Sequence, residues 1–170
     1  VDSIVFNDLI EHVFDPLTLM KACYSKLKNK GVLFITTPNG EGFDFKILVE
    51  NTPNITPPEH IQYFNPESIR ILSERTNFEV HEISTPGKLD IQIVKNEVKK
   101  LDKNLAVQEP YLNYLLEKDD KPELLNDFQE FLARNLLSSH LMLIGIKDEV
   151  NTFSSYFKLT VLRIIYKLYF

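Results

Sequence analysis

The sequence predicts an α/β protein, and three observations carry that assignment. A short apolar run between Asp2 and Asp8 is followed by a helix signal at Asp15-Pro16 and a second apolar run from Gly31 to Thr37. Strand, helix and strand at this spacing make a β-α-β unit, whose strands are parallel. Further on, Phe78 to Ile83 alternates apolar and polar residues, and Ser139 to Ile146 is almost continuously apolar. The first pattern marks a half-exposed strand and the second a buried one.

The elements follow in order. Pro16 suits the first turn of a helix, where its missing N–H is not needed, and Asp15 can cap the amides of that turn. This helix should run to about Lys28 and stop near Gly31. Pro38-Asn39-Gly40 breaks the second strand. The 40–65 connection carries Pro53, Pro57 and Pro58; so long a loop in a compact domain is usually functional or mobile. Asn65-Pro66-Glu67-Ser68 opens a helix bearing Ile69, Ile71 and Leu72, and Asn77 suits the left-handed residue that ends it. From Gly87 to about Leu137 the pattern is helical and charged, and Pro110 and Pro122 divide it into three helices. Phe128, Phe131, Leu132, Leu136 and Leu137 fall at helical spacing and read as core rather than as a recognition face.

Composition narrows the function. With 170 residues, 44% of them hydrophobic and 25% charged, the chain is one ordinary globular domain. A net charge of −5 argues against nonspecific nucleic-acid binding, which needs clustered cations. Cys23 is the only cysteine, so an intrachain disulfide and a CxxC metal site are excluded. It lies in the helical pattern Leu19-Met20-Cys23-Leu27 and reads as a small buried hydrophobe. A reduced thiol and no recognisable secretory leader lead to the expectation of a cytoplasmic protein.

Four pieces, in order, resemble one family. They are Asp2 to Val13, ending in Leu9-Ile10-Glu11-His12-Val13; Asp15-Pro16; Leu27-Lys28-Asn29-Lys30-Gly31-Val32-Leu33; and Thr37-Pro38-Asn39. Together they resemble the second half of class I S-adenosylmethionine-dependent methyltransferases. The Leu9 to Pro16 piece is similar to the "LEHV.DP" segment of the ubiquinone-type branch. Glu59-His60-Ile61-Gln62-Tyr63-Phe64 and the following Asn65-Pro66-Glu67-Ser68-Ile69 are similar to that branch's "EH...FS..SL".

The resemblance implies a Rossmann-like sheet ordered 3-2-1-4-5-7-6, with strand seven antiparallel. This chain would supply strands 4-5-7-6, with a helical insertion between strands 6 and 7. The family's glycine-rich turn and ribose-binding acid belong to strands 1 and 2. The sequence has five glycines and no GxGxG. The expectation is therefore a C-terminal half, inactive alone, that binds S-adenosylmethionine poorly. Its expected parts are 1–86 (core), 87–137 (insertion), 138–148 (last core strand) and 149–170 (an apolar, basic tail). The first strand would be an exposed apolar edge.

The resemblance also supplies site residues. Asn7, Asp8 and Leu9 would meet the cofactor at the end of the first strand. His12 and His60 compete for the role of general base, because imidazole titrates near neutrality; the alternative is that each only shapes its loop. Glu11 reads as structural. Asn39, Glu59 and Tyr63 are candidates for a small-molecule methyl acceptor, against turn-forming or packing roles. His81 and His140 read as structural strand residues. No metal is expected, since two histidines lack a third ligand at metal spacing.

The 87–137 helices are a candidate lid, partner surface or homodimer element. The tail from Phe153 to Phe170, with Lys158, Arg163 and Lys167 and no acid, is shorter than the roughly 20 residues of a membrane-spanning helix. It is a candidate for peripheral membrane contact, for packing on the domain, or for a link to further chain. The rival to an enzyme is a non-catalytic remnant serving as an interaction domain.

Overall fold

A computed structural model describes residues 1–100, 110–118 and 120–148. In chain order the elements are β1 (Ser3–Asn7), α1 (Pro16–Lys26), β2 (Val32–Pro38), α2 (Phe43–Leu48), α3 (Pro66–Glu74), β3 (Glu79–Ser84), α4 (Asp90–Lys100), α5 (Pro110–Leu116), α6 (Pro122–Arg134) and β4 (His140–Ile146). Short 3-10 turns occupy Ile10–His12 and Val49–Asn51. The sheet among the described residues is ordered β1-β2-β4-β3. β1 and β2 are parallel, and β4 runs antiparallel to both its neighbours. This is the 4-5-7-6 order with an antiparallel seventh strand, and α4, α5 and α6 fall between the last two strands in sequence. The expected tail lies outside the described residues. Among those described, no helix is long and apolar enough to cross a membrane.

Local chemistry sets the helix ends. Asp15 accepts from the Thr18 amide at 2.9 Å and from its hydroxyl at 2.6 Å. These bonds favour the carboxylate and hold Asp15 below the usual carboxylate range. α1 stops at Lys26, short of the expected Lys28, because Leu27 already takes an extended backbone. At α3 the cap is reciprocal. Asn65 Oδ1 accepts from the Ser68 amide at 2.7 Å, and Ser68 Oγ accepts from the Asn65 amide at 2.8 Å. Asn77 has φ 64°, the left-handed conformation that turns the chain from α3 into β3.

β2 is buried along its whole length, and β4 is buried after His140. One sheet face brings Leu33, Ile35, Leu141 and Leu143 against Met20, Cys23 and Leu27 of the α1 segment and Ile69 and Leu72 of α3. Burial raises the Cys23 thiol pKa, as expected of a buried hydrophobe. The opposite face carries Val32, Phe34, Met142 and Ile144, also buried. β1 is different: Val5 is exposed, as is Leu9 just beyond its end, and β1 forms the edge of the described sheet.

The insertion has its own small core. Phe43 and Leu48 of α2 pack with Ile91 and Val94 of α4, Leu116 of α5 and Leu132 of α6. Leu132 is buried and Phe128 half-buried, but Phe131 and Leu137 remain exposed, so the core reading of this stripe holds for only part of it. Asp90, at the start of α4, ties the insertion to β4. Its Oδ1 accepts from the Ser139 amide at 2.6 Å, and its Oδ2 accepts from Ser138 Oγ and Gln129 Nε2. Gly87 leaves room for this junction, since a Cβ there would collide with Ser138 Oγ.

Candidate functional site

The carboxyl ends of β1 and β2 gather most of the candidate residues. Asn7 closes β1, and its Oδ1 accepts from Thr36 Oγ1 of β2 at 2.7 Å. Asp8 then has φ 47°, a left-handed conformation that Asp tolerates better than most residues. Its amide still donates to the Thr36 carbonyl at 3.1 Å. The chain therefore turns outward at once and leaves Asp8 and Leu9 exposed at the end of the strand. Asp8 Oδ1 stands 3.9 Å from His140 Nε2. An antiparallel β4 brings its first residue to the same end of the sheet as the last residues of β1 and β2. Strand direction is the signal that could have moved His140 from the structural group into this site.

The 3-10 turn after Asp8 builds the densest cluster of candidate residues. Glu11 is 1% exposed. Its Oε2 accepts from Thr37 Oγ1 at 2.9 Å, and its backbone carbonyl accepts from the amides of Ile61 and Gln62, each at 3.0 Å. The long loop is thereby stitched to the turn, and His60 arrives beside His12. The two rings meet edge to face, with centroids 4.7 Å apart.

Each ring is oriented by a main-chain oxygen. His12 Nδ1 lies 2.8 Å from the Glu59 carbonyl, and His60 Nδ1 lies 2.7 Å from the Asn54 carbonyl. A carbonyl oxygen only accepts, so both Nδ1 atoms carry the hydrogen. In each neutral imidazole the lone pair then belongs to Nε2. Glu11 Oε1 is buried without a hydrogen-bond partner among the described residues, 4.0 Å from His12 Nε2. Donor atoms from Glu11, His12 and His60 all lie within 4.8 Å of one another. The sequence hid this trio, because only the folded loop brings His60 to the Glu11-His12 pair. The absence of a third donor, inferred from spacing, does not hold in space.

The substrate candidates divide. Asn39 is fully buried, and its amide group is wholly engaged. Nδ2 donates to the Leu136 and Ser138 carbonyls, and Oδ1 accepts from the Glu41 amide. It pins the turn after β2 to the start of β4, and its turn-forming role is the one its contacts describe. Glu59 is exposed, and its recorded tie to the cluster is its carbonyl on His12. Tyr63 is also exposed and lies edge-on to Phe45, with centroids 5.5 Å apart. Asp44, unremarked in the sequence, is fully buried and accepts from Thr52 Oγ1 and from Asn54 Nδ2 at 2.7 Å. It fixes Asn54, whose carbonyl orients His60.

Comparison with known proteins agrees with this architecture. A family model described as "Methyltransferase domain" matches residues 1–83. A SAM-dependent methyltransferase from Archaeoglobus fulgidus superposes with TM-score 0.51 at 22% identity, over 86% of this chain and 59% of that one. The methyltransferase crystallised with the Haloferax volcanii Trm112 methyltransferase activator gives TM-score 0.51 at 13% identity, over 90% of this chain and 56% of that one. The chain thus spans less than two thirds of either structure. No curated protein matches the sequence. The shared fold is the α/β fold of methyltransferases.

Proposed function

We propose, from this methyltransferase-type fold, that the chain is the C-terminal half of an S-adenosylmethionine-dependent enzyme that methylates a small molecule. The observation that carries the reading is the gathering of Asn7, Asp8, Glu11, His12 and His60 at the carboxyl ends of β1 and β2. Ligands of open α/β sheets bind at that end. The residues there suit the cofactor in part. The outward turn at Asp8 sets an exposed carboxylate, 3.9 Å from His140 Nε2, next to an exposed leucine, a fit for a ligand with both charged and apolar portions. Asn7, Asp8 and Leu9 would form one wall of that pocket. When bound, S-adenosylmethionine supplies a methyl group on a sulfonium for in-line displacement.

The chain's own residues would do the rest. His12 and His60 form the acceptor-facing side, each with Nδ1 fixed and Nε2 directed away from its carbonyl. Much of the acceleration would come from placing the acceptor atom against the methyl group. The ubiquinone-type branch is the narrower assignment, supported by the order of the Glu-His, Thr-Pro-Asn and second Glu-His pieces.

Calorimetry separates this reading from an interaction-only remnant. The protein translated from the whole gene should bind S-adenosylhomocysteine in the micromolar range, and residues 1–170 alone should bind it much more weakly. Failure of the whole product to bind would overturn the enzyme reading. Tight binding by residues 1–170 would overturn the half-site reading.

A further inference from the structure

We infer that the second face of the sheet is the docking surface of the chain's own C-terminal segment, residues 153–170. Val32 and Phe34 of β2 and Met142 and Ile144 of β4 lie on that face and are only 1 to 4% exposed. Ile146 pairs with Val32 across the two strands and is 1% exposed. Side chains on one face of a strand recur at every second residue, so these five form one strip. The described helices do not account for its burial. α1 and α3 pack on the opposite face. The apolar side chains of α2, α4, α5 and α6 form their own core. Val5 shows what this face looks like without a cover: it sits level with Phe34 on the neighbouring strand and is 48% exposed. The cover therefore spans β2 and β4 and stops short of β1.

The two longer stretches outside the described residues are 101–109 and 149–170. The first connects α4 and α5, both of which belong to the insertion's core. The second leaves directly from β4. The Lys147 amide donates to the Gly31 carbonyl at 2.9 Å, and the Lys147 carbonyl accepts from the Lys30 amide at 2.7 Å. Its ammonium group donates to the Tyr24 and Leu27 carbonyls. The chain is thus pinned beside Val32 as it passes out of the sheet. Extended, the four residues 149–152 reach about 13 Å, and the distance along β2 from Val32 to Phe34 is about 7 Å.

Composition fits the occupant to the surface. Of the 18 residues from Phe153 to Phe170, twelve are aliphatic or aromatic, and the rest are two serines, one threonine and three cations. Apolar surface of that extent gains by leaving water. Lys158, Arg163 and Lys167 can lay their stems on apolar surface and keep their charges in water. Of the three expectations for this segment, packing on the domain is the one the buried strip supports. The inference uses neither the candidate site nor the methyl-transfer reading.

The two methionines make a test with a built-in control, because Met142 lies on the strip and Met20 on the opposite face. The 170-residue chain is made with a photoreactive diazirine analogue at both positions, and cross-linked peptides are read by mass spectrometry. Met142 should join to 153–170, and Met20 should not. Mixing with nitrogen-15-labelled chains should show these links to lie within one molecule. The variant carrying Ile164→Asp and Ile165→Asp should let hydrogen peroxide oxidise Met142 roughly tenfold faster, with Met20 unchanged, since susceptibility follows exposure. If that variant fails to fold, the cross-links of the native chain still decide. Links from Met142 to 101–109 or to a second copy overturn the inference. So does capture of 153–170 by vesicles of phosphatidylserine and phosphatidylcholine while Met142 stays protected.

Discussion

Two buried carboxylates, one at the insertion's junction with β4 and one in the turn after β1, invite comparison. Asp90 is 2% exposed and Glu11 is 1% exposed. Asp90 has donors on both oxygens: Ser139 N on one, Ser138 Oγ and Gln129 Nε2 on the other. Glu11 has a donor on one oxygen only, and its second has no hydrogen-bond partner among the described residues and lies 4.0 Å from His12 Nε2. Burial alone therefore does not distinguish a structural acid from a functional one. The count of satisfied oxygens separates these two but is no general marker: Asp44, which fixes Asn54 through Oδ2, also leaves Oδ1 without a hydrogen-bond partner among the described residues.

The comparison can be broken by substitution. Asp90→Ala should have the largest effect, about 3 kcal/mol or more lost in urea unfolding, because it leaves the buried Ser139 amide and Ser138 hydroxyl without their acceptor. Gly87→Ala, at the same junction, should cost about 2 kcal/mol through the clash with Ser138. Asn65→Ala removes the cap that ends the His60 loop and should cost about 1 kcal/mol. Glu11→Gln should cost under about 1 kcal/mol, since an amide oxygen can still accept from Thr37. An equal loss at Glu11 and Asp90 would erase the distinction.

The smallest effect concerns pH. The Thr18 bonds lower the folded pKa of Asp15 from its ordinary 3.8. Its cap thus contributes fully above that value and fades as pH falls through the lower, folded one. Chemical unfolding of the native chain and Asp15→Asn between pH 2 and 6 should show the native advantage shrinking only at the acid end.

Much of this fold was legible because short-range chemistry fixes it. Asp15-Pro16, Asn65 to Ser68 and Asn77 act within a turn of the residues they control, and the structure uses each at its expected place. Strand order came from family resemblance rather than from periodicity, which cannot choose neighbours. The site was less legible. His12 and His60 stood out by chemistry; Glu11 was read as structural, and its Thr37 bond and loop contacts are of that kind, while Oε1 has no hydrogen-bond partner among the described residues. Asn39 was a candidate for the acceptor against a turn-forming role, and β4 returns beside it and buries it. His140 was read as a structural strand residue, although the antiparallel last strand that the resemblance implied brings it to the Asp8 end of the sheet. Each miss involves a contact between residues far apart in the chain, where local pattern carries no information.

The oxygens that orient His12 and His60 belong to the backbone at 59 and 54. No substitution can delete a main-chain carbonyl, so the aim of both rings is insulated from drift at Glu59, whose exposed side chain makes no recorded bond to the cluster. Among descendants of this sequence, natural selection can rewrite much of the loop's lettering without retuning the pair. The expected evolutionary imprint is two invariant histidines in changeable surroundings, with variation at 54 restrained only by its bond to Asp44.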